Sequence, residues 1–297
     1  MRHLSYMLLA LSLLFPSCLS WGAGVPPGPR KALIDADFEI LEGGEPWNGW
    51  PGRIRHTTSG IVLRLVKPGS FPMGAAAGDT MAGREERPAH KVTLDRAVYM
   101  GETEVTVRSW RNYIDEGGSP ERGITRPSWS TRTGWGDGYP VTNISFRDAT
   151  SFCRFFGFRL PTEAEWEYVC RAGTNDAWSF GANSKDLARY AWFGNEKDGA
   201  HPVGRLWANP WGFFDMYGNL WEWTSGGFDA HGYANDLTPK TNPQGSAPDA
   251  FAMSIRGGSW ASPAVETRSS ARKGLMADRR ADVLGFRVVY DIPSTQP

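Results

Sequence analysis

Every helix-start signal in this chain precedes Gly173, and the long remainder shows neither helical periodicity nor an internal repeat. That asymmetry excludes the alternating strand and helix rhythm of a doubly wound sheet or an α/β barrel. It leaves an α+β fold in which short strands and irregular loops carry the C-terminal part. Three helices are readable. Thr106 precedes Val107, Trp110, Tyr113 and Ile114 at helical spacing, and Gly117-Gly118 ends that run. Ser145-Phe146-Arg147-Asp148 is a capping box, whose hydroxyl and carboxylate can satisfy orphan N–H groups. Its helix carries Ala149, Phe152, Cys153 and Phe156 on one face, and Gly157 suits the left-handed stop. Thr162-Glu163-Ala164-Glu165 is a second capping box, starting a helix with Trp166 and Tyr168 that stops before Gly173. Strands are expected at Ile61–Val66, at Pro88–Leu94 and, shorter, at Arg256–Trp260 and Gly285–Tyr290.

The chain has 297 residues, 40% of them hydrophobic, with 14 Trp, enough for a substantial core. Its 35 Gly and 21 Pro fit many turns and few long elements. Lys+Arg and Asp+Glu are equal at 32 each, which argues against a nucleic-acid binder or a polybasic membrane binder.

Arg2 and His3 followed by the apolar run Leu4–Phe15 read as a signal peptide over residues 1–24. Export to the periplasm or cell envelope is expected, and Phe15-Pro16-Ser17-Cys18 has some likeness to a lipoprotein box that would anchor the chain at Cys18. Residues 25–58, rich in Pro, Gly and charge, read as a linker with a short docking patch at Phe38–Leu41. Residues 59–292 read as one domain. No second stretch reaches 18 apolar residues, so no transmembrane segment is expected in the mature chain. Cys153 and Cys170 lie in no CxxC and no Cys/His cluster and sit on apolar helix faces, as buried structural cysteines do. His56, His90, His201 and His231 form no HxH or HxxxH pair.

Eight strings occur in order: Pro68–Gly74, Glu86–His90, Gly101–Thr106, Pro140–Ser145, Arg159–Tyr168, Gly212–Trp223, Arg256–Trp260 and Gly285–Val288. Together they resemble the signature of the formylglycine-generating-enzyme, or sulfatase-modifying-factor, family over roughly residues 60–290. The resemblance implies a variant of the C-type-lectin fold with little regular secondary structure. It also implies a structural Ca²⁺ held by Asp215, the carbonyls of Gly218 and Leu220, and Glu222. Oxygen ligands including two carboxylates suit a hard cation; the other reading of Glu222 is an ion pair with an arginine or a cap on backbone N–H groups. A second family calcium site would fall at Tyr190–Asp198, where Trp192 replaces an expected Asn and Asp198 alone remains.

In the family's oxidases two cysteines follow the Gly-Gly-Ser motif, hold copper and bind the substrate thiol. Here Ala261–Ser269 contains no cysteine, and Ser262 and Thr267 stand nearest those positions. A hydroxyl neither ligates Cu(I) nor exchanges with a thiol, so copper-dependent formylglycine formation is not expected. The substrate groove implied by the resemblance runs past Trp221, Arg256, Gly257, Gly258, Ser259, Trp260 and Ser262, and no catalytic residue can be named in it. Ser259 lies in no Gly-x-Ser-x-Gly elbow. Arg272 and Arg287 are expected to pair with core carboxylates such as Glu165 or Glu167. Cys153 and Cys170 occupy the family's disulfide positions, and the partner positions hold Ser269 and Val288. Cysteine-lacking relatives of this type include periplasmic accessory proteins for nitrite reductase and for siderophore tailoring. Two functions therefore stay open: maturation or accessory work on an envelope protein or peptide, or non-catalytic binding or scaffolding by a lectin-like module.

Overall fold

The structure is a computed structural model and describes residues 27–123, 127–128, 135–195, 197–235, 238–245 and 251–293. The expected signal segment 1–24, with Cys18, lies outside them. After a first helix, α1 (Pro27–Asp35), come strands β1 (Phe38–Ile40), β2 (Arg53–His56), β3 (Val62–Val66), β4 (Gly69–Met73), β5 (His90–Leu94) and β6 (Val98–Gly101). Helices α2 (Val107–Asp115), α3 (Phe146–Phe155) and α4 (Glu163–Arg171) follow. The C-terminal part holds β7 (Trp221–Gly227), a single helical turn α5 (Gly232–Asn235), β8 (Lys240–Thr241), β9 (Met253–Arg256), β10 (Arg272–Leu275), β11 (Leu284–Gly285) and β12 (Val289–Asp291).

These strands form three sheets ordered β1-β2-β3-β6-β12, β10-β9-β7-β11 and β4-β5-β8. The first is antiparallel throughout, and its last strand returns from the far end of the chain to pair Val289 with Met100. The mixed sheet β10-β9-β7-β11 carries the family motifs, with Glu222 opposite Arg256 and Gly285 alongside Glu222.

The capping boxes form as the sequence implies. Ser145 Oγ accepts from Asp148 N at 3.1 Å while Asp148 Oδ2 accepts from Ser145 N at 3.1 Å. Thr162 Oγ1 accepts from Glu165 N at 3.1 Å, and Glu165 Oε2 returns the bond to Thr162 N at 2.8 Å. Beyond Gly173 the described residues add only α5 and two 3-10 turns, Ser184–Arg189 and Ala264–Thr267.

Three expectations need correction. Residues 25–58 are more than a linker: Phe38 and Ile54 are buried, and β1 and β2 complete the five-stranded sheet. The strand expected at Arg256–Trp260 ends at Arg256, because Gly257 (φ 98°) and Gly258 (φ 74°) turn the chain into the left-handed region. The strand expected at Gly285–Tyr290 divides into β11 and β12, which serve different sheets.

Two large apolar clusters and a small third one fill the interior among the described residues. One joins Trp110, Phe152, Trp221, Trp223 and Phe286, and the other joins Trp166, Trp178, Met216 and Tyr217 around α4. Helix α4 packs on β4, β7 and β9 and is buried along its whole length. Its four charged side chains therefore all require partners inside the protein.

Candidate functional site

Strand β7 places the two core clusters on its opposite faces. Trp221 and Trp223 enter one, while Glu222 turns toward Trp166 in the other, as two-residue alternation requires. Glu222 Oε2 accepts from Trp166 Nε1 at 2.9 Å and from Arg287 Nε at 2.6 Å; Oε1 accepts from Arg287 Nη2 at 2.7 Å. Arg287 thus pairs with Glu222 instead of Glu165 or Glu167. Arg272 also finds a different partner, Glu163, at 2.6 and 2.7 Å. Glu167 holds Arg171 at 2.7 Å and also Arg256, and Glu165 holds Arg159. The reason is helical phase. Glu163 and Glu167 are one turn apart and look onto β9 and β10, whereas Glu165 looks the other way.

The loop preceding β7 is wound tightly. Asp215 (φ 54°), Gly218 (φ 77°) and Asn219 (φ 56°) are all left-handed. A Cβ at Gly218 would lie 2.0 Å from Trp192 O, so only glycine fits there. Asp215 Oδ2 accepts from Gly204 N at 2.7 Å. A third buried carboxylate, Glu104, accepts from Asn219 Nδ2 at 3.0 Å and Leu220 N at 3.2 Å. Burial and the neighbouring Asp215 and Glu222 charges push the Glu104 carboxyl well up, and burial, with Glu222 adding, pushes Asp215 up to about 6. Arg287 is the cation set against all three.

Glu222 makes the arginine ion pair that was its other reading, and what the loop still offers a hard cation is limited to spare oxygen acceptors. A carboxylate has about four lone-pair positions. Three are used on Glu222 and one on Asp215 among the described contacts, leaving an acceptor position on Glu222 Oε1 and all of Asp215 Oδ1. Among the described residues no three carboxylate, histidine or cysteine side chains group as a metal centre. Calcium here would need the Gly218 and Leu220 carbonyls as well.

Where the family's second calcium site would fall, a site not expected to be kept here, Trp192 lies against His201 with ring centroids 3.7 Å apart, and Asp198 is hydrogen-bonded to Asn195. With Phe193 and Trp260 these residues enclose a cavity of about 310 Å³. Trp260, expected to share a cleft with Trp221, belongs to this cavity and to a small cluster with Leu220 and Ala200, apart from the cluster of Trp221.

Four side chains form a polar chain on the Trp221 face of the β10-β9-β7-β11 sheet, at the margin of the first core cluster. Gly258 permits the turn, because a Cβ there would press on Glu266 O at 3.0 Å. Ser259 Oγ lies 3.2 Å from Ser262 Oγ, which donates to Glu266 Oε2 at 2.8 Å. Lys273 Nζ donates to Glu266 Oε1 at 2.6 Å and sits 5.1 Å over the Trp221 ring. Arg256 does not join them: it is fully buried on the opposite face, bonded to Glu167 and to the carbonyls of Ser270 and Ala271. Thr267 is also withdrawn, with its hydroxyl 3.1 Å from Trp178 Nε1. Glu266 and Lys273 escaped the sequence reading. Their signals were the four-residue spacing from Ser262 and the in–out alternation of Arg272 and Lys273 on β10.

The thiols are elsewhere. Cys153 and Cys170 are free, buried and in different core clusters. Burial raises the thiol of Cys153 far above its usual range and that of Cys170 to about 12, so neither is a thiolate. The residues at the groove do not fit copper, since it takes soft ligands and only hydroxyls, a carboxylate and an ammonium are present.

Lectin-like topology, the Gly-Gly turn and the Asp215–Trp223 loop define the class of protein that includes the formylglycine-generating enzymes. The chain belongs to that family: the sulfatase-modifying factor enzyme 1-like domain matches residues 53–292. It is 34% identical to the formylglycine-generating enzyme of Mycobacterium tuberculosis over 176 residues, covering 52% of this chain and 58% of that one. It is 31% identical to the hercynine oxygenase of Mycolicibacterium smegmatis over 267 residues, 77% of this chain and 61% of the other. The chain therefore spans about three fifths of these relatives' length. Among solved structures it is similar to PvdO from Pseudomonas aeruginosa, with a TM-score of 0.73 and 25% identity, covering 81% of this chain and 98% of that one. No helix among the described residues is long and apolar enough to cross a membrane.

Proposed function

We propose that this chain is a copper-independent accessory or maturation factor that holds an extended segment of a client protein along the Trp221–Lys273–Ser262 groove. The carrying observation is that Ser262, at one of the two expected cysteine positions, lies in a Ser259–Ser262–Glu266–Lys273 hydrogen-bond chain, while Thr267, at the other, is turned onto Trp178. Those groups donate and accept hydrogen bonds and supply both charges, which suits peptide recognition; they supply no thiolate for copper or disulfide exchange. Lys273 and Glu266 are the exposed end of that chain, with Ser259, Ser262 and Trp221 buried beneath them. The reading as a non-catalytic lectin-like binding or scaffolding module uses the same groove and omits any chemistry.

The apolar run at Leu4–Phe15 supports export, which would put the client in the periplasm or cell envelope, with Cys18 as an optional anchor. The Asp215–Glu222 loop would hold a structural Ca²⁺ through the four groups named above. When bound, the ion would offset the buried negative excess of Glu104, Asp215 and Glu222 over Arg287.

Fluorescence anisotropy with a panel of labelled extended peptides tests the groove. Binding that falls about tenfold or more in Lys273→Glu and Glu266→Ala, consistent with loss of a charged hydrogen bond, supports the reading. Affinity unchanged in both variants contradicts it.

A further inference from the structure

A cavity of about 500 Å³ opens between the end of β3, the second half of α4 and the loop at residues 209–212. No residue of the groove lines it. Its size suits a small organic molecule. Leu65, Pro68 and Pro210 give it apolar walls, and Tyr168 and Trp211, edge to face at 4.8 Å, give it an aromatic one. Three features set its chemistry.

The first is charge. The charged residues that line the cavity are Arg64, Lys67 and Glu45. Arg64 bonds Glu102 Oε1 at 2.7 Å, but Arg53 already holds that carboxylate through both oxygens, at 2.7 and 2.9 Å. Lys67 bonds Glu45 at 2.9 Å, and the Glu45 side chain is 83% exposed, where water screens it. Among the groups that line the cavity and those bonded to them, Arg53, Arg64 and Lys67 stand against Glu45 and Glu102, an excess of one positive charge. On α4, Glu165 and Glu167 are held by Arg159 and by Arg171 with Arg256, and neither lines the cavity.

The second is a surplus of donors. Tyr168 is 8% exposed, and its hydroxyl has no hydrogen-bond partner among the described residues. Burial pushes the phenol up, so it keeps its proton. Trp211 Nε1 also lacks a partner among them, and an indole only donates. Neither atom is sealed off in the way the indole nitrogens of Trp110 and Trp135 are. The lining amide, Asn209, is fully used: Nδ2 donates to Val169 O at 2.7 Å, and Oδ1 accepts from Trp211 N and Phe213 N at 3.0 and 3.1 Å.

The third is a fixed guanidinium. Glu102 meets Arg64 at Nη2, and Gly212 lies against its plane, where a Cβ would come within 2.6 Å of Cζ. A planar cation held from two sides is prepared for a carboxylate before one arrives.

We propose that this cavity binds a small carboxylate carried on a flat apolar body, an aromatic acid being the simplest, with the carboxylate on the Arg64 and Lys67 side and the flat body against Trp211 and Tyr168. The Tyr168 hydroxyl supplies a further donor. A neutral molecule of the same shape leaves the positive excess in place, and a cation adds to it. An anion without the apolar body leaves the aromatic wall wet.

Isothermal titration calorimetry on the full chain tests it, using phenylacetate, its uncharged isostere phenylacetamide, phenethylammonium chloride and acetate. Saturable one-to-one binding of phenylacetate is expected, with the other three about tenfold weaker or worse. Tyr168→Phe should weaken phenylacetate binding about tenfold, as loss of a hydrogen bond to a charged group does. Without ligand the same variant should melt at an unchanged temperature, because the hydroxyl it deletes bonds no described protein group. A structural role for that hydroxyl would instead lower the melting temperature. Lys67→Gln, on the solvent side of the cavity, should weaken binding about threefold or more and decides the matter should Tyr168→Phe not fold. Absence of saturable heat with phenylacetate, equal binding of any of the other three probes, or unchanged affinity in either folded variant would overturn the proposal.

Discussion

Cys170 Sγ lies 3.5 Å from Ser269 Oγ, with both side chains buried between α4 and the turn that leads into β10. The family resemblance makes 269 a disulfide position, and the contact shows that the geometry for the bridge survives although one sulfur does not. Ser269→Cys should therefore close a disulfide from Cys170 to position 269 in air. The expected signs are an intact mass lower by two hydrogens and about 2–4 kcal/mol of added stability, the usual range for a bridge across a long loop. Free thiols at both Cys170 and position 269 in that variant after oxidation would refute the placement.

The Arg287–Glu222 pair is predicted to be costly to break. Both groups are fully buried, and removing one leaves the other charged and without a partner. Arg287→Ala should lose about 3–5 kcal/mol in urea unfolding, while the double change Arg287→Met with Glu222→Leu should recover part of it. A loss below about 1 kcal/mol for the single variant would mean that the pair is solvated.

Glu86 predicts a pH signature. Burial opposes its charge, but hydrogen bonds from Arg268 and Ser270 prevail and hold the carboxyl below its unfolded value of 4.5. The folded form binds fewer protons than the unfolded form, so the pair's contribution is present above pH 4.5 and disappears as pH falls through the folded pKa. Comparing the chain with Glu86→Gln isolates the effect. The stability gap between them should be widest at neutral pH and should close progressively below pH 4.5. A gap that is constant or widens in acid contradicts the assignment.

Calcium should raise the thermal midpoint of the chain at neutral pH, and chelation should reverse it. Calcium at about a hundredfold excess over its dissociation constant contributes about 2.7 kcal/mol. Asp215→Asn should abolish the increment, and magnesium, which sheds its waters reluctantly, should not replace calcium. Identical melts in calcium and in chelator would remove the ion from the account.

Much of this was legible in the residues because it is local. Capping boxes declare themselves within four positions, and Ser145–Asp148 and Thr162–Glu165 formed as written. The sheet face of Glu222 followed from alternation in the same way. Partners distant in sequence were not legible. That Arg287 would choose Glu222, and Arg272 Glu163, depends on which strands flank α4, a property of topology alone. Arg256 was misplaced in the groove for a related reason: the strand ends there, and the Gly-Gly turn redirects the chain while the Arg256 side chain stays on the α4 face of the sheet. Residues 25–58 hid two strands because each is short and a stretch rich in Gly and Pro separates them, and only pairing with β3 makes them a sheet.

The central claim is that a hydroxyl–carboxylate–ammonium chain has replaced the family's thiol chemistry. Its most direct test is to incubate the purified chain with Cu(I), oxygen and a sulfatase-type cysteine peptide, and to follow the peptide by mass spectrometry. The cysteine should remain unmodified while the formylglycine-generating enzyme of Mycobacterium tuberculosis, run in parallel, converts it. Formation of the aldehyde by this chain would contradict the account.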